Sequence, residues 1–116
     1  MSKFEIFRSN RNNQFYFRLK ASNGQIILAS EGYTTKDNCN AGIRSVKAHA
    51  PYDQYYSRLV ATNGQYYFVL KATNGQVIGT SETYTTTQAR DAGIQSVKAN
   101  APTALVVDLT ELSKVG

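Results

Sequence analysis

Along this chain apolar residues first alternate with polar ones, then recur every third or fourth place, and this change of period happens twice. Phe15-Tyr16-Phe17-Arg18-Leu19-Lys20 alternates, as a strand with one buried face does. Asn23-Gly24 follows, and then the apolar run Gln25-Ile26-Ile27-Leu28-Ala29. An Asn-Gly pair between two extended runs predicts a hairpin, because both residues tolerate positive φ. Farther on, Cys39, Ile43, Val46 and Ala50 form a helical stripe that stops at Pro51. Thr34 and Asp37 have the spacing of a capping box ahead of that helix, and Thr85 and Gln88 hold the same places in the second half.

The second half is a copy of the first. Residues 66–102 match residues 15–51 at 23 of 37 positions without a gap. Two copies are too few for an open solenoid, so a closed pseudo-twofold pair is expected. Three further segments look extended and lie 51 residues apart: Phe4 to Arg8, Tyr55 to Leu59 and Val106 to Thr110. Asn63-Gly64 supplies a turn before Tyr66, and Asn10 to Asn13 is its counterpart before Phe15. The order is therefore strand, hairpin, helix, strand, hairpin, helix, strand, with the middle strand ending one unit and beginning the next. Ile43, Val46, Ile94 and Val97 are expected to bury against Phe17, Leu19, Phe68 and Leu70. Gly42 and Gly93 sit inside the helices at a cost of about 1 kcal/mol each relative to Ala, which points to close packing of helix on sheet.

The strings LKASNGQII, SEGYTT and AGIRSVKAHAP, with LKATNGQVI, SETYTT and AGIQSVKANAP, resemble the YegP-like family of small bacterial proteins. The resemblance spans residues 4–110. It implies an α+β fold of two tandem β-β-β-α-β repeats that share one mainly antiparallel sheet and swap their final strands, with two helices on one face. It brings no established activity and no site residues. The expected organisation is one domain over residues 1–110, with repeats at about 4–51 and 55–102, a final strand at about 105–110 and a flexible tail at 111–116.

Charge and chemistry narrow the function. The net charge of +5 lies wholly in residues 1–51, which hold eight Lys and Arg against three acids. A basic half can attract nucleic acid or acidic partners, or simply keep the surface solvated. One Cys and one His give no metal-ligand spacing, and no phosphate-binding loop is present. Cys39 on an apolar stripe reads as a small core residue, and His49 at a helix end as a surface histidine. Ser30-Glu31 and Ser81-Glu82 read as turn and helix-start hydrogen-bonding groups before they read as ligands. No catalytic residue, metal, cofactor or membrane span is expected. The single cysteine fits a reducing cytoplasm, and the internal symmetry a monomer.

The sheet face turned away from the helices is the candidate surface. If Phe15, Phe17 and Leu19 face the helices, then Tyr16, Arg18 and Lys20 face the other way, as do Tyr67, Val69 and Lys71 in the second copy. The expected function is a non-enzymatic binding or structural module of the bacterial cytoplasm. The alternative is a nucleic-acid-binding domain in which Tyr16, Arg18, Lys20, Tyr67 and Lys71 meet bases and phosphates.

Overall fold

The computed structural model describes residues 1–112. Seven strands form one sheet: β1 (Lys3–Arg8), β2 (Phe15–Lys20), β3 (Ile26–Ala29), β4 (Tyr56–Val60), β5 (Tyr66–Lys71), β6 (Val77–Thr80) and β7 (Leu105–Asp108). Helix α1 (Lys36–His49) follows β3, and α2 (Thr87–Asn100) follows β6. A short helix, α3 (Leu109–Leu112), follows β7. The spatial order is β4-β5-β6-β3-β2-β1-β7. All pairs are antiparallel except β1 with β7.

Each copy thus makes a three-stranded meander, and the strand after each helix pairs with the other copy. The strand after α1, β4, pairs with β5, and the strand after α2, β7, lies along β1. The expected swap and shared sheet are both present. The final strand stops at Asp108 rather than Thr110, and residues 109–112 of the segment beyond it are helical. The rest of the expected tail, residues 113–116, lies outside the described residues.

The middle segment departs from the 51-residue spacing. Leu19 pairs with Phe4, whereas its copy Leu70 pairs with Tyr56 and not Tyr55. The cause is the first turn. Ser9 and Gln14 close it with Asn13 N–H donating to the Ser9 carbonyl, four residues back. The matching turn closes Ala61 on Gln65 with Gly64 N–H reaching only three residues back. One extra residue slips the register by one, and in a strand that exchanges the two faces. Tyr55 accordingly ends a 3₁₀ turn, and Tyr56 is the core residue. In the chain β4 ends the first unit and begins the second, as expected; in the sheet it pairs with β5 alone and forms an outer edge.

The hairpins form where Asn-Gly predicts them, by a different mechanism. Only the glycines take positive φ, at 85° for Gly24 and Gly75 and 83° for Gly64. The asparagine instead accepts a backbone hydrogen bond, as Asn23 Oδ1 does from Gln25 N at 3.0 Å. In the first turn Asn13, at φ 59°, takes the glycine's place.

The helices begin one residue later than the capping-box spacing implies. Thr35 Oγ1 accepts from Asn38 N at 3.1 Å, and Thr86 Oγ1 from Ala89 N at 3.0 Å. Thr34 and Thr85 are not the caps, because Tyr33 and Tyr84 still bridge in extended form to Phe15 and Tyr66. Asn38 and Ala89 stand three places on, so no Glu or Gln is there to return the bond.

One core lies between the sheet and both helices. Ile43, Val46, Ile94 and Val97 are buried there with Phe17, Leu19, Phe68 and Leu70, as the periodicity requires. The helical glycines mark close approaches of helix to tyrosine. A Cβ on Gly42 would sit 2.4 Å from the Tyr33 hydroxyl, and one on Gly93 2.5 Å from that of Tyr84. The tyrosine before each helix folds back against the glycine within it.

Candidate binding face

Strand alternation positions this surface. With Phe17 and Leu19 turned to the helices, Tyr16, Arg18 and Lys20 stand on the opposite face, half-buried by their neighbours. Tyr67 and Lys71 stand likewise beside Phe68 and Leu70. All five expected residues therefore share one face, but they do not form one basic patch.

Glu5 divides them. It lies directly across from Arg18 on β1, and the same alternation that buries Phe4 and Ile6 turns it to the open face. Its carboxylate accepts from Arg18 Nε at 2.8 Å. Lys20 lies 3.2 Å and Lys3 3.5 Å from the same carboxylate. The Glu5 side chain is 7% exposed, so the three cations enclose it. Burial alone would raise its pKa. Hydrogen bonds and charge from Arg18 and Lys20 outweigh that and hold the carboxyl below its ordinary value.

Aromatic rings fill the rest of this half. Tyr16 stacks on Phe7 with centroids 5.7 Å apart, and the Arg18 guanidinium lies 4.6 Å from the Phe7 centroid. Asn12 Nδ2 donates to the Tyr16 hydroxyl at 2.9 Å. Both Tyr16 and Arg18 are therefore held by neighbours within the face.

The second half of the face is different in kind. Val69 replaces Arg18 and is 5% exposed; Ser57 and Thr80 flank it across the strands. Leu59 lies opposite Tyr67, and Lys71 is the one cation among the β5 positions facing this way. The face thus has a charged half and an apolar half. Reading the sequence missed Glu5, Phe7 and Leu59 as members. Period-two alternation carried the signal for Glu5 and Phe7; for Leu59 the slipped register hid it.

Glu5→Gln tests the cluster. It leaves three cations without their counter-ion. Because those cations are 26–42% exposed, the expected loss is about 1–2 kcal/mol at pH 7, below the range for a fully buried pair. The folded carboxyl is depressed. Its contribution is therefore complete above the unfolded pKa of about 4.3 and disappears as pH falls through the lower folded value. Urea midpoints of wild type and variant should differ at pH 7 and converge towards pH 2.

Other candidates resolve into structure. Ser30 Oγ accepts from Phe17 N at 2.9 Å and donates to the Glu31 carbonyl at 2.8 Å. Ser81 repeats this with Phe68 N and the Glu82 carbonyl. These serines extend the strand ladder into the loop before each helix. His49 is half-buried rather than free at the surface. Its Nδ1 lies 2.7 Å from the Ser45 carbonyl, and its Nε2 accepts from Thr73 N at 3.1 Å. That arrangement requires the proton on Nδ1 and ties the end of α1 to the β5–β6 turn. Cys39 is fully buried, and burial pushes its thiol up to about 11, with Asp108 adding to the shift. A thiol so buried and so weakly acidic is a core group. A groove of about 410 Å³ between the first turn and α3 is lined by Arg8, Asn13, Phe15 and Lys36. There Lys36 pairs with Asp108 at 2.8 Å. No helix among the described residues is long and apolar enough to cross a membrane.

The domain described as Domain of unknown function (DUF1508) matches residues 10–57 and again residues 61–108. The chain belongs to this family. DUF1508 is thus present twice, and each match runs from the strand before a hairpin to the strand after a helix. The chain is 49% identical over 107 residues to the UPF0339 protein YegP of Escherichia coli K12, covering 92% of this chain and 96% of that one. It is 50% identical over 106 residues to the UPF0339 protein in the ptx operon 5′ region of Stutzerimonas stutzeri, covering 91% and 95%. The solution NMR structure of the UPF0339 protein SO3888 from Shewanella oneidensis superposes with a TM-score of 0.87 at 47% identity, covering 93% of this chain and 91% of that chain. That of E. coli YegP, described as a protein of unknown function, also gives 0.87, at 48% identity over 92% and 91%. These relatives are about half identical to the chain, the two solved structures share its fold, and none points to a specific function.

Proposed function

We propose that this DUF1508 protein is a non-enzymatic binding module of the bacterial cytoplasm that offers its open sheet face to a protein partner. Glu5 is the observation that carries the reading. A face built for phosphates would leave Arg18 and Lys20 available, whereas here both are engaged with one enclosed carboxylate. The neighbouring half, with Leu59, Tyr67 and Val69, is apolar and aromatic, as the centre of a protein interface is. The buried thiol of Cys39 and the clasped ring of His49 support a role without catalysis.

Titration with labelled single-stranded oligonucleotides at low and physiological salt tests this against the nucleic-acid alternative. The wild type should bind no more tightly than about 10⁻⁴ M, the weak end of non-specific affinity. Glu5→Gln should bind more tightly and with a steeper salt dependence, because it releases the cations. Tighter wild-type binding that Arg18→Ala with Lys20→Ala abolishes would overturn the reading in favour of nucleic acid.

A further inference from the structure

The two halves of the sheet end differently. Beyond β1 lies β7, parallel, with Phe4 beside Val106 and Ile6 beside Asp108. Beyond β4, the pseudo-twofold counterpart of β1, no strand lies among the described residues. The counterparts follow from the ladders: Phe4 and Tyr56 face Leu19 and Leu70, and Ile6 and Arg58 face Phe17 and Phe68. The outer edge of β4 is thus the image of a slot that the fold fills elsewhere. It contains no Pro, Gly or Lys to blunt it, and Leu59 and Val60 remain 37% and 62% exposed.

We propose that this edge is a docking slot for an extended segment of a partner protein, added as a strand parallel to β4 with an acidic residue beside Arg58. The filled slot sets the chemistry. The strand there carries Leu105, Val106 and Val107 and then Asp108, which pairs with Lys36 at 2.8 Å. The counterpart of Lys36 is Thr87, so an acid in the empty slot finds no cation at that position, and the nearby Arg90 is already paired with Asp91 and laid over the Tyr66 ring. It finds Arg58 instead, at the place of Ile6. Arg58 already meets Asp53 and Asp91 at 3.1 and 3.4 Å, but those carboxylates are 59% and 51% exposed and can yield to another acid as the enclosed Glu5 does not, and Arg58 itself keeps 37% exposure. The residue after the acid then covers Leu59. The occupant is an apolar, β-branched run followed by an acid and another apolar residue, held by main-chain hydrogen bonds as strand-addition ligands are. A second copy's β7 is a poor occupant, since leaving its own β1 would open one slot to fill another.

The probe is a capped peptide with the sequence of residues 104–110, Ala-Leu-Val-Val-Asp-Leu-Thr, titrated into ¹⁵N-labelled protein and followed by two-dimensional NMR. Saturable shifts are expected in the amides of Tyr56 to Val60 and their β5 partners, with β1 unchanged. Val60→Lys, at an exposed position, should keep the thermal midpoint and weaken binding about tenfold, and replacing the peptide's Asp by Lys should do the same. Shifts confined to β1 and β7 would mean that the peptide competes with the chain's own strand, and would overturn the proposal. So would no shifts up to about millimolar peptide, or β4 shifts that follow protein concentration alone, which would make a second copy the occupant.

Discussion

Gly79→Leu should destabilise the protein strongly, and Leu28→Gly in the same molecule should restore much of the loss. Leu28 and Gly79 are equivalent residues of the two copies and meet where the central strands pass each other. Leu28 is fully buried. A Cβ on Gly79 would lie 2.5 Å from Leu28 Cδ2 and 2.6 Å from its Cγ. The space near the pseudo-twofold axis admits one leucine, so the copies differ there. Gly79→Leu alone overpacks the core, at about 1–3 kcal/mol or more. Leu28→Gly alone leaves a cavity and adds glycine's backbone cost, at about 2–5 kcal/mol or more. A double-mutant cycle on urea unfolding should give strong favourable coupling for Leu28→Gly with Gly79→Leu. Losses that simply add would mean that the two positions do not share one space.

Ile94→Ala should cost about 2–5 kcal/mol, and it should weaken both halves together. Ile94 is fully buried in the single core. The two meanders are joined in the sheet by one residue pair, Ala29 with Thr80. So slight a ladder would not by itself make one cooperative unit. The swapped strand and the helices do: β7 follows α2 yet pairs with β1, α1 packs on β2 and also on β5 and β6, and α2 packs on β5 and also on β3. Calorimetry of wild type and variant should each show one transition, the variant's at lower temperature. Two resolved transitions, only one of them shifted, would contradict a shared core. A loss below about 0.5 kcal/mol, the usual surface value, would place Ile94 on the wrong helical face.

Much of this architecture is legible in one dimension because its causes are local. Period-two alternation assigns Phe17 and Leu19 to the core and Tyr16 and Arg18 to the open face. The 3.6-residue period does the same for Ile43 and Val46. Glycine at Gly24 and Gly75 marks turns, since positive φ costs a glycine little. What could be misread was whatever depends on the length of a turn. The extra residue between Ser9 and Gln14 moves the core position from Tyr55 to Tyr56, and with it the faces of Leu59 and Arg58. The same one-residue ambiguity put the caps at Thr34 and Thr85, although the extended bridges at Tyr33 and Tyr84 delay each helix start.

The sequence by itself determined that the fold is a duplicated α+β unit, the order of its strands and helices, and the side chains of β2, β5 and the two long helices that line its core. Those properties follow from periodicity and turn chemistry, which act over a few residues. Only the tertiary structure decided that Glu5 engages Lys3, Arg18 and Lys20 on the open face, that Leu28 fills the space beside Gly79, and that β7 lies beyond β1 while no described strand lies beyond β4. Each depends on residues far apart in the chain meeting in one register, and register is set by the summed geometry of the turns and by the packing of both helices across the sheet.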